Sequence, residues 1–133
     1  MTGMINLAGV TKTFGANQVL QGVDLNIEKG RSVVVIGGSG SGKSVMLKSI
    51  LGLLTPDAGT IHIDGTQTIG LSRRAREHID ANMGMLFQNG ALFDSLPVWR
   101  NVAFRGLQDN TLDTQAARDI AVTSLAQVGL GPE

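Results

Sequence analysis

The opening third of the chain alternates short apolar patterns with turn-forming residues. MINLAGV (residues 4–10), NQVLQGVDLNI (17–27) and RSVVVIGG (31–38) are separated by Phe14-Gly15-Ala16-Asn17 and by Glu28-Lys29-Gly30, a pattern that predicts three strands. In the third of them Val33, Val34, Val35 and Ile36 follow one another with no polar alternation, as in a strand covered on both faces in a parallel sheet. The period then changes. From Ser44 to Leu54 the apolar residues Met46, Leu47, Ile50, Leu51 and Leu54 fall at helical spacing, and Thr55-Pro56-Asp57 marks the expected stop. TIHIDG (60–65) reads as a further strand and SRRAREHID (72–80) as a short helix with Ser72 at its N-cap. NMGMLFQ (82–88) returns to strand character. A loop follows and leads into a short helix begun by Pro97, because proline suits a first helical turn. Finally, Leu112, Ala116, Ile120, Leu125 and Val128 predict one apolar stripe on a helix from Asp113 to Val128, closed by Gly129, Gly131 and Pro132.

Between the β-branched run and the first helix lies GGSGSGKS, residues 37–44, which satisfies G-x-x-x-x-G-K-[ST] with Gly37, Gly42, Lys43 and Ser44 at the fixed positions. In a chain this rich in glycine the pattern arises by chance roughly once in a hundred sequences, so its setting decides. A flexible linker belongs between domains, whereas this stretch joins a buried-type strand to an amphipathic helix. That arrangement aims backbone N–H groups and the positive end of a helix dipole at an anion. Gly37, Gly38, Gly40 and Gly42, with Ser39 and Ser41, let the backbone curl around a phosphate without Cβ clashes. The Lys43 ammonium can neutralise β- and γ-phosphate oxygens, and the Ser44 hydroxyl is a hard oxygen ligand of the kind Mg²⁺ takes beside phosphates and water. Loops of this kind serve ATPases, GTPases and small-molecule kinases alike.

Composition narrows the partners. The chain has 133 residues and a hydrophobic content of 42%, enough for a core, and its 11 basic residues balance 11 acidic ones. No global positive field draws it to nucleic acid. The absence of cysteine excludes disulfides and thiolate chemistry, and no apolar run approaches the roughly 20 residues that cross a bilayer. His62 and His78 stand outside any cluster of metal-binding spacing, and Arg73, Arg74 and Arg76 read as a solvated helix face.

The surroundings of the phosphate loop resemble the ATP-binding subunits of ABC transporters along the whole chain. TKTFG (11–15) resembles the end of the strand from which that family stacks a ring on adenine, which assigns Phe14 to the base. Phe14 as an ordinary hairpin aromatic is the competing reading. NQVLQGVDLNIEKGRSVVVIGGSGSGKS and TPDAGTIHIDG resemble the segments on either side of the P-loop helix. MLFQNGALFDSLPVWRNVAF resembles the glutamine loop, which places Gln88 where the family has a glutamine that reaches Mg²⁺ and the attacking water. Without the resemblance, Gln88 is an ordinary polar residue at a strand end. NGALFDSL (89–96) is most similar to the ATPases of MCE/Mla-type phospholipid transporters, although Arg100 stands where a glutamate is usual.

The resemblance implies an α/β fold: a P-loop NTPase core with an N-terminal antiparallel β subdomain (1–30), a core running to the glutamine loop (31–88) and the start of a helical subdomain (89–133). It implies ATP and Mg²⁺ as cofactors, Lys43 and Gln88 as catalytic residues, and Ser44 and Gln88 at the metal. It also implies a second ATPase subunit that dimerises on ATP binding, and an integral-membrane permease docking near Leu92, Phe93, Leu96 and Trp99. On that reading the protein sits on the cytoplasmic face of the cell membrane, held there by the permease. The family's Asp-Glu strand, switch histidine and LSGGQ-like signature are not found in the sequence. The expectation is therefore a truncated front half that binds nucleotide without turning it over, with apolar faces beside Val33–Ile36 left open and prone to self-association. A non-catalytic nucleotide-binding regulator and a P-loop small-molecule kinase are the competing readings.

Overall fold

A computed structural model describes residues 4–131 and divides at Gly84/Met85 into two compact units. Pro132, expected to help close the last helix, lies outside the described residues.

The first unit is a four-stranded antiparallel sheet with two helices. Strands β1 (Ile5–Phe14) and β2 (Asn17–Ile27) form a hairpin, and β3 (Ala58–Ile63) and the short β4 (Thr66–Gln67) continue the sheet in the order β2-β1-β3-β4. Alternation, interrupted by an irregularity between Leu7 and Val10 where the pairing of β1 shifts register, puts Leu7, Val10, Leu20, Ile61 and Ile63 on one side, where Met46 and Ile50 of α1 (Lys43–Ile50) meet them in one buried cluster. Ile69, Ile79 and Met83 pack on its margin.

The Asp57 carboxylate pins the start of β3 to the end of β1. It bonds the Lys12 ammonium at 2.7 Å and accepts the Thr13 N–H at 2.7 Å, while its own N–H donates to the Thr11 carbonyl. The Lys12 hydrogen bond, and then that of Thr13, hold the carboxyl below the usual aspartate value. Because the folded pKa is lowered, the stabilisation is complete above the unfolded value of about 3.9 and disappears as pH falls through the folded one. Urea midpoints of the wild-type chain and Asp57→Asn should therefore differ at neutral pH and converge below about pH 4. A constant gap down to the acid limit would remove the carboxylate's role.

Helix α1 ends earlier than its apolar spacing predicts. Gly52 adopts φ +71°, and the Leu53 N–H closes back on the Lys48 carbonyl; this is a Schellman stop, which glycine accommodates. The expected breaker Pro56 lies beyond it. Arg76, expected on a solvated face, instead turns inward. It donates to the Ile50 carbonyl at the C-terminus of α1 (2.6 Å) and pairs with Asp80 of its own helix, α2 (Arg73–Asp80), placing a cation where the helix dipole is negative. Ser72 caps α2 as expected, accepting from the Ala75 N–H.

Two expected strands do not form. Residues 33–36 join no ladder, and Val34 and Ile36 are 80% and 90% exposed. The described sheet is antiparallel throughout, and none of its strands lies alongside this run to supply the hydrogen bonds that a two-sided buried strand needs. Residues 83–87 likewise carry no ladder, and Leu86 is 91% exposed.

The second unit is helical: α3 (Val98–Val102), α4 (Phe104–Gln108) and α5 (Thr114–Gln127). Asp113 caps α5 by accepting the Ala116 N–H at 2.8 Å. The buried contacts are Ala103, Ala117 and Ala121, flanked by Trp99, Leu107 and Leu112. The stripe predicted through Ala116, Ile120 and Val128 is thus rotated, leaving Ile120 and Val128 exposed. Small side chains bring the helices together, and a reading weighted towards large apolar residues passes over them.

Candidate functional site

The N-terminus of α1 opens into a cleft of about 400 Å³ lined by Ser39, Gly40, Ser41, Gly42, Lys43, Ser44 and Val45, together with Phe14, Asn17 and Val19. Gly42 is the N-cap, at φ +96°, a conformation that L side chains rarely adopt. A Cβ there would also lie 3.0 Å from the Val19 carbonyl oxygen and 3.1 Å from Leu20. A Cβ on Gly37 would come within 2.6 Å of Ser41 Oγ. Glycine is thus required at position 42 by its backbone conformation and the Val19 carbonyl, whereas at position 37 the crowding is with the Ser41 hydroxyl, which can turn away. With no side chain at the cap and no acidic residue in the first turn, the leading N–H groups of α1, which have no acceptor within the helix, keep their capacity for an anion.

Lys43 folds back over this loop. Its ammonium donates to the carbonyls of Gly37 and Gly38 and to Ser41 Oγ at 3.1 Å, so the cation is held at the mouth of the helix by acceptors that are themselves exposed. Ser44, next in the helix, is exposed on the same cleft. No group of three or more His, Cys, Asp or Glu suited to a metal occurs among the described residues. A single hydroxyl therefore suits a metal that arrives with a phosphate rather than one caged by the protein. The donor set thus fits a nucleoside triphosphate with Mg²⁺.

Phe14 reaches the cleft because β1 runs on through Thr11-Lys12-Thr13 and turns at Gly15-Ala16. Its ring is half exposed, and the Lys12 ammonium sits 5.6 Å from the ring centroid. The lysine that Asp57 holds thus also steadies the aromatic. That coupling was not readable from sequence, since Lys12 and Asp57 are 45 residues apart. Asn17 and Val19 were likewise missed, and their proximity to the loop follows only from the hairpin pairing of β1 and β2.

The structure therefore brings Phe14 and Ser39–Ser44 into one cleft, while Gly37 and Gly38 do not line it and meet it only as acceptors of the Lys43 ammonium. Gln88 belongs to the second unit, where it is exposed at the start of a turn spanning residues 88–91 rather than at a strand end. In that unit Leu92 and Phe93 are exposed and Leu96 and Trp99 partly buried. No helix among the described residues is long and apolar enough to cross a membrane.

Comparison with known proteins agrees with this geometry. The family model for ABC transporters matches residues 20–132. A "Probable ribonucleotide transport ATP-binding protein" of Mycobacterium tuberculosis is 43% identical over 96% of this chain and 35% of its own length. The intermembrane phospholipid transport system ATP-binding protein MlaF of Haemophilus influenzae is 35% identical over 96% of this chain and 48% of its own. Among solved structures, a dimeric ATP-binding cassette in a post-hydrolysis state, bound to ADP and Pi, superimposes with a TM-score of 0.81 at 32% identity, covering 92% of this chain and 56% of that one. The chain spans between a third and a half of the length of these two curated relatives. It belongs to the ABC transporter family and carries part of its ATP-binding domain.

Proposed function

We propose that the protein is the ATP-binding subunit of an ABC transporter, coupling MgATP binding and hydrolysis to transport across or between membranes. The observation that carries this reading is the single cleft shared by Phe14 and Ser39–Val45, with the Lys43 ammonium at the N-terminus of α1. In this reading Phe14 stacks on adenine and the backbone from Gly37 to Gly42 wraps the β-phosphate. Lys43 would neutralise charge on the β and γ oxygens and Ser44 would hold Mg²⁺, while the role of Gln88 at the metal and the attacking water rests on the resemblance of its segment to the glutamine loop alone. When bound, Mg²⁺ neutralises phosphate charge during phosphoryl transfer. No Asp-Glu strand, switch histidine or LSGGQ-like signature is found in the sequence, so nucleotide binding without turnover is proposed for this chain alone.

The cargo proposed is phospholipid or another hydrophobic molecule. Two things support it: the 35% identity to MlaF and the NGALFDSL element. The name of the 43%-identical mycobacterial relative points instead to ribonucleotides. The apolar residues Leu92 and Phe93, which are exposed, and Leu96 and Trp99, which are partly buried, are proposed as the docking face for an integral-membrane permease, which keeps the subunit on the cytoplasmic face of the membrane. A second ATPase subunit completes the site on ATP binding.

Equilibrium dialysis against labelled ATP tests the central claim. Saturable binding that is strengthened by Mg²⁺ and weakened by EDTA is expected, with no phosphate released. Lack of ATP binding would sink the reading, and steady turnover by this chain alone would overturn the account of what it lacks.

A further inference from the structure

Phe14 ends a strand whose last residues have a paired neighbour on one side only. The pairing of β1 with β3 stops at Thr11 and Ala58, whereas its pairing with β2 continues through Lys12, Thr13 and Phe14. On the β3 side the end of β1 is held instead by Asp57. Its N–H donates to the Thr11 carbonyl at 2.9 Å, its Oδ2 accepts the Thr13 N–H at 2.7 Å, and its Oδ1 accepts from the Lys12 ammonium at 2.7 Å. One residue thus grips three consecutive residues directly before the aromatic.

Lys12 and Phe14 are two residues apart on β1 and therefore share a face of the strand. The ammonium lies over the Phe14 ring, and the Lys12 side chain is only 17% exposed. Phe14 lines the cleft and Lys12 does not. The lysine backs the ring, which is still half exposed.

From this we infer that Lys12 and Asp57 are positioning residues for the nucleotide base: they hold one face of Phe14 against the lysine, so that the opposite face is presented to a purine. The inference rests on the stacking role proposed for Phe14 and adds the residues that act through that ring. A ring ordered before the base arrives loses less conformational freedom on binding. A cation is attracted to one face of an aromatic ring and leaves the other free. The triphosphate is held separately, by the loop and the first turn of α1, so the contribution of Lys12 and Asp57 appears only when a base is present.

Calorimetric titration separates base from phosphate when MgATP is compared with magnesium tripolyphosphate, which has no base. Lys12→Met keeps an apolar stem and removes the ammonium, and circular dichroism checks its fold. It is expected to weaken MgATP binding about fivefold and to leave tripolyphosphate binding unchanged. Asp57→Asn should follow it, while Lys12→Arg, which keeps a cation for both ring and carboxylate, should stay within about twofold of the wild type. Phe14→Ala should weaken MgATP about tenfold, and adding Lys12→Met to it should cost nothing further. If Lys12→Met binds MgATP as the wild type does while Phe14→Ala is weakened, the inference falls and the stacking role stands. If Phe14→Ala is also unaffected, the stacking role falls with it. Equal losses of MgATP and tripolyphosphate in Lys12→Met, or a loss that adds to that of Phe14→Ala, would show the lysine acting on the fold rather than through the ring, and would overturn the inference.

Discussion

Replacing Lys43 with alanine is expected to weaken MgATP binding by about 100-fold. A hydrogen bond to a charged group contributes about 1.5–3 kcal/mol, and the ammonium is placed to make more than one such bond to phosphate oxygens. Losing it therefore costs about 3 kcal/mol, close to two powers of ten in Kd. The fold should survive. The partners that Lys43 gives up, the carbonyls of Gly37 and Gly38 and the hydroxyl of Ser41, are all exposed, so water replaces the ammonium at little cost. The two effects are separated by measuring both: calorimetric titration with MgATP should show the loss, while the urea midpoint moves little. A variant that retains ATP affinity would take the loop out of the binding site. One that loses affinity and stability together would show that Lys43 braces the loop rather than gripping phosphate.

How much of this was legible in the sequence depended on whether the relevant partners were local. The phosphate loop could be read because everything that defines it, the fixed glycines, the lysine and the start of α1, falls within eight consecutive residues. The β1–β2 hairpin and the cap at Ser72 could be read for the same reason. The Val33–Ile36 run could not. Its composition specifies a strand buried on both faces, but strand pairing belongs to two segments at once, and the described residues supply no neighbour for it. The turning of α5 onto Ala117 and Ala121 escaped for a different reason: the close approach of helices is set by small residues, which a hydrophobic pattern counts least. Arg76 was misread because its charge suggested solvent, while its actual partner is the open carbonyl end of a helix 26 residues away.

The largest effect on the fold is expected from Ile61→Ala. Ile61 is fully buried in β3, opposite Leu7 of β1, within the cluster that Met46 and Ile50 of α1 complete. Its carbonyl also accepts both the N–H and the hydroxyl of Thr68, tying the following loop to the strand. Those backbone bonds survive the substitution, so the loss comes from the side chain alone: three carbons removed from between a sheet and a helix. Ile→Ala at such a site costs about 2–5 kcal/mol, and the upper half of that range is expected because two elements frame the void and β1, held by β2 and β3 together, has little freedom to collapse into it. Typical domains hold only about 5–15 kcal/mol in all, so the loss would take a large share. Ile61→Val, which removes a single carbon, should cost about 1 kcal/mol. Urea denaturation followed by circular dichroism measures both. The effect should also reach the cleft, since Met46 and Ile50 seat α1, and α1 carries Lys43 and Ser44 at its first turn. A core that holds the phosphate loop in place predicts weaker MgATP binding in Ile61→Ala even under conditions where the variant is fully folded. Should alanine prove no more costly than valine, or ATP affinity stay unchanged in the folded variant, the loop would be shaped by its own glycines rather than by the sheet beneath it.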